Sequence, residues 1–346
     1  MASWENLRLA SRRAARGKRR RLDVEAWLLR EESELLALRD ELLGGGYRPG
    51  PYRFFEIREP KRRLIAAAPF RDRVAHHALC QFMGPVLERS FIARSFSCQI
   101  GKGTTAAREC CRRLTNRSRY VLKCDVRKFF PNIDHAILRD QLDGVSRCPK
   151  VKDLIATLIA SHETGPEVSP PIFPGDDLLE VAQRPRGLPI GNLTSQLWGN
   201  FYLDALDHWV TEVQRHGAYV RYTDDFLLFD DDKDRLWDLR AGIVEQLAAR
   251  RLTLAEPKSR LLAVAEGVPF CGFRFLSGLR PRVLGTTKRR FERRRRRLAE
   301  RKDLACLSVS VFAWYQFSRE GNSEGLRRAY SRSRYVSSLS RFLVGV

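Results

Sequence analysis

The chain has 346 residues, 63 Lys and Arg against 41 Asp and Glu, a formal net charge of +22 at neutral pH and 43% hydrophobic residues. That apolar content excludes a disordered basic tail, the length suits two or three subdomains, and the charge calls for a polyanionic partner, with nucleic acid the default. Eight Cys without a Cys-x-x-Cys pair or a matching His ladder argue against zinc and for a reducing cytoplasm, and no signal peptide or run of about 20 apolar residues points to a membrane.

Residues 1–22 include Ser11-Arg12-Arg13-Ala14-Ala15-Arg16-Gly17-Lys18-Arg19-Arg20-Arg21, a run that suits a phosphate contact, a localisation signal or a solvated arm. Asp23 reads as the N-cap of a helix through Leu43, with Trp27, Leu28, Leu35, Leu38 and Leu42 at helical spacing and Gly44-Gly45-Gly46 as its stop. Residues 1–50 are thus an N-terminal basic arm and helix. The next segment reads as a two-stranded ribbon, Arg53 to Ile57 and Arg62 to Ile65, with Pro60-Lys61 in its turn. A helix after Pro69 carries His76 and His77, which diverge on a helix and read as core or surface residues rather than joint metal ligands.

The run Tyr120 to Phe130 is an apolar strand that delivers Asp125 and breaks at Pro131; strand alternation sends Phe129 and Phe130 to opposite sides, with Phe129 in the core. A helical region to about 165 and a proline- and acid-containing loop over 166–185 follow. Arg186-Gly187-Leu188-Pro189-Ile190-Gly191-Asn192 is a tight turn opening a helix through Trp209. Tyr222-Thr223-Asp224-Asp225 then lies between Val220-Arg221 and Phe226-Leu227-Leu228-Phe229, so two adjacent carboxylates sit at the turn of a hairpin of buried strands. Further on come a helix near 233–251, Lys258, and a strand pair within Gly267 to Phe275. From Ser277 onward the tail is strongly basic, and Lys288, Arg289, Arg290, Arg293 and Arg294 form a one-signed face suited to a phosphate backbone.

Burying carboxylates is costly unless a cation joins them, so Asp125, Asp224 and Asp225 together suggest a divalent-metal cage. Mg²⁺ takes oxygen ligands and borrows phosphate oxygens, and two such ions roughly 3.5–4 Å apart can activate an attacking hydroxyl and stabilise a leaving oxygen. An isolated Asp-Asp is more often an ordinary acidic turn. Here the surrounding segments decide.

In this order they resemble a reverse transcriptase from about residue 50 onward. Asp125 with Phe129-Phe130 is similar to that family's first catalytic motif, Gly187 to Gln196 to its template- and nucleotide-binding turn, and Tyr222 to Asp225 to its Tyr-x-Asp-Asp box. Lys258 and Gly267 to Phe273 fall where the family has its lysine and primer grip. Most members have Gln before the glycine of the turn and Ser-Pro after it. Here Ile190-Gly191-Asn192-Leu193-Thr194-Ser195-Gln196, with Arg94 to Cys98, Gly101 to Thr104 and Tyr47 to Tyr52, is similar to the group II intron-like bacterial enzymes of diversity-generating retroelements.

The resemblance implies an α+β right-hand polymerase fold. Fingers and palm would occupy 51–278, with an antiparallel palm sheet, and a helical basic thumb 279–346; the palm would take 120–139 and 187–278. It implies two Mg²⁺ ions on Asp125, Asp224 and Asp225, and a dNTP held by Arg62, with Arg63 or Lys61 as alternates. Phe130 would gate the sugar, Ile190 and Gly191 would line the turn, and Lys258 would protonate the leaving pyrophosphate. Lys288, Arg289, Arg290, Arg293 and Arg294 would take nucleic acid. Implied partners are an RNA template, a primer or growing cDNA, dNTPs and a small accessory protein, with no membrane; the implied activity is mutagenic retrohoming, copying with errors at template adenines. About 70 residues follow the primer-grip segment, too few for RNase H or maturase domains, and no Val-Thr-Gly near the C-terminus weakens a retron assignment. A related enzyme of phage defence shares the core, and a non-catalytic RNA-binding scaffold is the alternative from another class.

Overall fold

The computed structural model describes residues 1–58, 62–165 and 168–331. The Pro60-Lys61 turn, Lys61 as a phosphate ligand, Pro166 at the start of the expected loop and the end of the basic tail lie outside them.

Strands β1 (Arg53–Ile57) and β2 (Arg63–Ala67) pair antiparallel as the expected ribbon, with Phe54, Phe55 and Leu64 exposed. Strands β3 (Tyr120–Asp125), β4 (Tyr219–Tyr222), β5 (Asp225–Asp230) and β6 (Arg260–Ala263) form an antiparallel sheet of order β4-β5-β3-β6. Successive residues of a strand face opposite sides, and here both sides are covered. Leu122, Cys124, Tyr219, Phe226 and Leu228 enter one core, Val121, Val220, Leu227 and Phe229 a second. A third sheet contains β7 (Val268–Phe270), β8 (Phe273–Phe275) and the two-residue β9 (Arg282–Val283), which the sequence did not announce.

The helix expected from Asp23 to Leu43 is two helices, Leu22–Leu29 and Glu31–Gly44, and Asp23 lies in the first turn rather than at the cap. The break at Arg30 has a distant cause. Ser11 donates to Glu31 at 2.6 Å and accepts from the Trp27 indole at 3.1 Å, so the helix Trp4–Ala15 holds both sides of the bend. The helix Phe70–Ser90 buries Val74, Ala78, Leu79 and Met83; His76 is buried on it with no partner on either ring nitrogen, and burial pushes its pKa down to about 4.

Phe129 and Phe130 lie on the short helix Phe129–Asn132, not on a strand as expected. The chain has already left the sheet, with Lys128 left-handed at φ 44°, and Leu188 N–H donates to the Phe130 carbonyl at 2.9 Å. The expected loop over 166–185 contains the helix Leu178–Gln183. The helix expected through Trp209 is divided into Leu193–Tyr202 and Asp204–His208 and ends in a π turn, Trp209–Val213, against helix Lys233–Ala248. A Cβ on Gly242 would lie 2.5 Å from the Trp209 ring, so the indole fills the space that this glycine leaves. The C-terminal part has the helices Gly285–Glu300, Leu304–Arg319 and Glu324–Ser331. No described helix is long and apolar enough to cross a membrane.

Gly187 joins the loop to the turn over 188–192 at φ 101°, where a Cβ would lie 1.9 Å from Thr164 Oγ1 and 3.0 Å from Thr164 N. Gly187→Ala should therefore cost about 1–3 kcal/mol, combining backbone strain with overpacking. The check is thermal unfolding, in which the midpoint falls by several degrees.

Candidate active site

The register of β3 on β5 places Asp125 directly opposite Asp225, and Asp224 precedes Asp225 in the tight turn from β4. The Val126 N–H donates to the Asp224 carbonyl at 3.2 Å and the Ala255 N–H to that of Asp125 at 2.7 Å, so three chain segments fix the acid backbones. Thr223 is left-handed at φ 59°, a conformation that costs a non-glycine residue about 1–3 kcal/mol unless its surroundings hold it. Ser97 and Thr223 share a hydroxyl hydrogen bond of 3.0 Å, and Arg221 Nη1 donates to the Thr223 carbonyl at 3.0 Å.

Like charges directly across a ladder repel, and burial adds to that cost. Burial, then Asp125, raises the Asp224 carboxyl pKa, with Lys258 and Arg63 opposing the shift. Asp225 is raised chiefly by burial, while Lys123 pulls it down. Lys123 Nζ closes on Asp225 Oδ1 and Lys258 Nζ on Asp125 Oδ1. Among the described residues no three His, Cys, Asp or Glu side chains converge as a ready-made metal cage; two of the expected ligands instead face lysines. The donor chemistry nevertheless suits Mg²⁺, being all carboxylate oxygen from adjacent backbone positions.

The other predicted residues divide. Ala66 N–H on β2 donates to the Ile190 carbonyl at 3.1 Å, and a Cβ on Gly191, at φ 121°, would lie 3.0 Å from Ile65 Cγ2, so the turn over 188–192 lies along the ribbon. Ile190 is half-buried rather than a core residue. Phe130 is half-buried too, its ring 5.2 Å from that of Phe129 at 61° and both packed on Gly199. Arg62 is largely exposed and engages Glu56 on its own ribbon, whereas the charge of Arg63 is felt at Asp224.

Lys288, Arg289, Arg293 and Arg294 are exposed and Arg290 half-buried on helix Gly285–Glu300, separate from the acid strands. Arg289, Arg290 and Arg293 line a concavity of ≈ 530 Å³ with Thr286, Glu292 and Arg296. That basic face is not purely cationic, since Glu292 pairs with Arg295 at 2.6 Å and Arg296 at 3.2 Å.

Two residues at the site went unnoticed in the sequence. Lys123 stands two positions before Asp125, hence on the same face of β3, and that spacing was the available signal. Arg221 is a charge inside a buried apolar strand, which requires a hidden partner; the partner is Asp207, at 2.5 Å.

Residues 58–275 match the family model of reverse transcriptases (RNA-dependent DNA polymerases). Protein YkfC of Escherichia coli (strain K12) is 26% identical over 287 residues, 70% of this chain and 71% of that one. Among solved structures, telomerase from Candida albicans in complex with a TWJ fragment of telomeric RNA aligns with a TM-score of 0.48 and 13% identity over 69% of this chain and 46% of that one. Apo telomerase from Candida tropicalis gives 0.45 and 10% over 66% and 47%. The chain thus spans less than half the length of either telomerase chain. The family match takes in more than half of the sequence, including β3, the turn over 188–192 and the Asp224-Asp225 hairpin, and on that ground the protein belongs to the reverse transcriptase family.

Proposed function

We propose that this enzyme extends a primer along an RNA template by two-metal nucleotidyl transfer, and that it is of the diversity-generating retroelement class. The observation that carries the polymerase assignment is Asp125 held opposite Asp225 with Asp224 in the adjoining turn. In the reaction a 3′-hydroxyl attacks the α-phosphate of a dNTP, the new P–O bond forms, and pyrophosphate leaves with the electron pair of the broken one. Two Mg²⁺ ions would be held by Asp125 and Asp224 with Asp225 beside them, and would supply charge stabilisation and activation of the hydroxyl.

The chain's own groups do the rest. Lys258, partnered by Asp125, would turn to the leaving pyrophosphate and give it a proton, while Lys123 opposes the burial that raises the Asp225 carboxyl pKa. Arg63 is the stronger candidate for the triphosphate, because Arg62 is engaged with Glu56; its planar fork suits phosphate oxygens. Phe130 would exclude a 2′-hydroxyl by steric clash. In this scheme the ribbon belongs to the fingers, the four-stranded sheet to the palm, and the helices after residue 279 to a thumb that tracks duplex phosphates with Lys288, Arg289, Arg290, Arg293 and Arg294.

The retroelement class rests on Ile190 to Gln196, and with it come a small accessory protein and errors at template adenines. An aliphatic Ile190 offers the incoming nucleotide only apolar contact, whereas Gln can hydrogen-bond it. Right and wrong pairs therefore differ less in transition-state stabilisation.

Asp224→Asn should abolish primer extension in Mg²⁺ while RNA binding by filter retention stays close to wild type; normal cDNA yield from this variant would remove the assignment. Phe130→Ala should raise ribonucleotide incorporation roughly tenfold, the usual size of one lost steric contact. Parallel dNTP and NTP extension assays measure it. Ile190→Gln should lower misincorporation chiefly opposite template adenine, read by sequencing cDNA made by both enzymes on one RNA; an unchanged error spectrum would take Ile190 out of the fidelity mechanism.

A further inference from the structure

We propose that Arg221 is a positioning residue for nucleotidyl transfer, its buried guanidinium tying the helix after the nucleotide turn to the Thr223 carbonyl and thereby setting where Asp224 and Asp225 stand. The proposal rests on the polymerase assignment above and adds to it a residue that touches neither substrate nor metal.

Arg221 and Asp207 are both 0% exposed. Burying an ion pair is commonly no better for stability than apolar residues of similar volume, so its presence in the middle of an apolar strand points to what the guanidinium holds. Its five N–H groups all find acceptors. Nε donates to Asp207 Oδ1 at 2.7 Å and Nη2 to Asp207 Oδ2 at 2.5 Å. Nη2 also donates to the Asn200 carbonyl at 3.2 Å, and Nη1 donates to Asn200 Oδ1 at 2.9 Å and the Thr223 carbonyl at 3.0 Å. Tyr219 completes the set, its hydroxyl donating to Asp207 Oδ1 at 2.7 Å.

The geometry has a direction. Asn200 lies on helix Leu193–Tyr202, which starts where the nucleotide turn ends, and it follows Gly199, against which Phe130 packs. Asp207 lies one helix further on. Thr223 is the left-handed residue whose carbonyl orientation sets the path into Asp224. One rigid fork therefore joins the floor of the nucleotide site to the acid-bearing turn. A lysine, with three donors at a single point, reaches Asp207 but cannot serve Asn200 and Thr223 together.

The main chain of residue 221 is held without the side chain, since its N–H donates to the Arg94 carbonyl and its own carbonyl accepts from the Phe96 N–H, both at 3.0 Å. Side-chain variants thus leave the strand in place. The test compares wild type, Arg221→Lys and the double variant Arg221→Met with Asp207→Leu, which removes both charges and leaves no buried ion unpaired. For each, thermal unfolding, kcat, KM for dNTP and for primer-template, and the Mg²⁺ concentration for half-maximal extension are measured.

Positioning predicts that kcat falls about tenfold in Arg221→Lys and about a hundredfold in the double variant, the scale of an ångström-level misplacement. Half-maximal Mg²⁺ should rise several-fold, with KM for primer-template within about twofold of wild type. A double variant as stable as wild type that turns over at the wild-type rate overturns the proposal. If that variant does not fold, Arg221→Lys decides alone, and a wild-type kcat and Mg²⁺ dependence there overturn it equally. Variants at the wild-type rate beside an active wild type sink the clamp only; a wild-type enzyme without extension removes the polymerase assignment and the clamp with it.

Discussion

The rest of the site depends on one electrostatic constraint, the pairing of Asp125 with Asp225 across β3 and β5. Repulsion between facing carboxylates destabilises that register, and the apolar faces of the two strands enforce it. Slipping β5 by one residue would send Phe226 and Leu228 into the space that Leu227 and Phe229 fill, and the reverse, so the register is held by close packing of differently shaped side chains. The sheet is thus specified by residues with no chemistry, which hold in place a pair that would otherwise separate. Lys123 and Lys258 moderate the cost, each closing on one of the two facing acids.

The legibility of the sequence followed the range of the forces involved. Strands β3 and β5 could be read because their continuous apolar runs record burial on both sides, and the acids could be read because they interrupt those runs. The bend at Arg30 could not, because its cause lies twenty residues back at Ser11. Nor could the π turn at Trp209, which fills a space left by Gly242 on another helix. Phe129 and Phe130 were assigned the wrong local geometry because strand alternation was carried past Asp125, where the backbone had already turned at Lys128. At the site, the spacing of carboxylates was visible; Asp207 as the partner of Arg221 was not, since a buried charge announces a need without naming the residue that meets it.

Charge shows the same division between composition and placement. The excess of +22 is a property of the sequence, but how its parts are fastened depends on aromatic packing. Phe291 stacks on Trp314 with centroids 4.4 Å apart and planes at 4°, anchoring helix Gly285–Glu300 by the one residue it buries. Arg108, with Phe273 and Phe317 rings at 5.0 and 5.2 Å and Glu320 at 3.2 Å, joins the third sheet to helix Leu304–Arg319. Desolvated, this arginine serves packing, while Lys288, Arg289, Arg293 and Arg294 keep their heads in solvent.

The two lysines at the acids differ in the same way. Lys123 has 16% of its side chain exposed and lies 5.9 Å from the centroid of the Phe270 ring, so on leaving Asp225, itself 28% exposed, it is the ammonium that would be left poorly solvated. Lys258 has 45% exposed, so its ammonium can pass to solvent at little cost, whereas Asp125, with 14% exposed, then needs another cation. Lys123 is thus the lysine held to its acid, and Lys258 the one able to leave. The two facing acids therefore differ in how firmly a cation is held beside them, a difference set by the exposure of each lysine and not by that of its carboxylate.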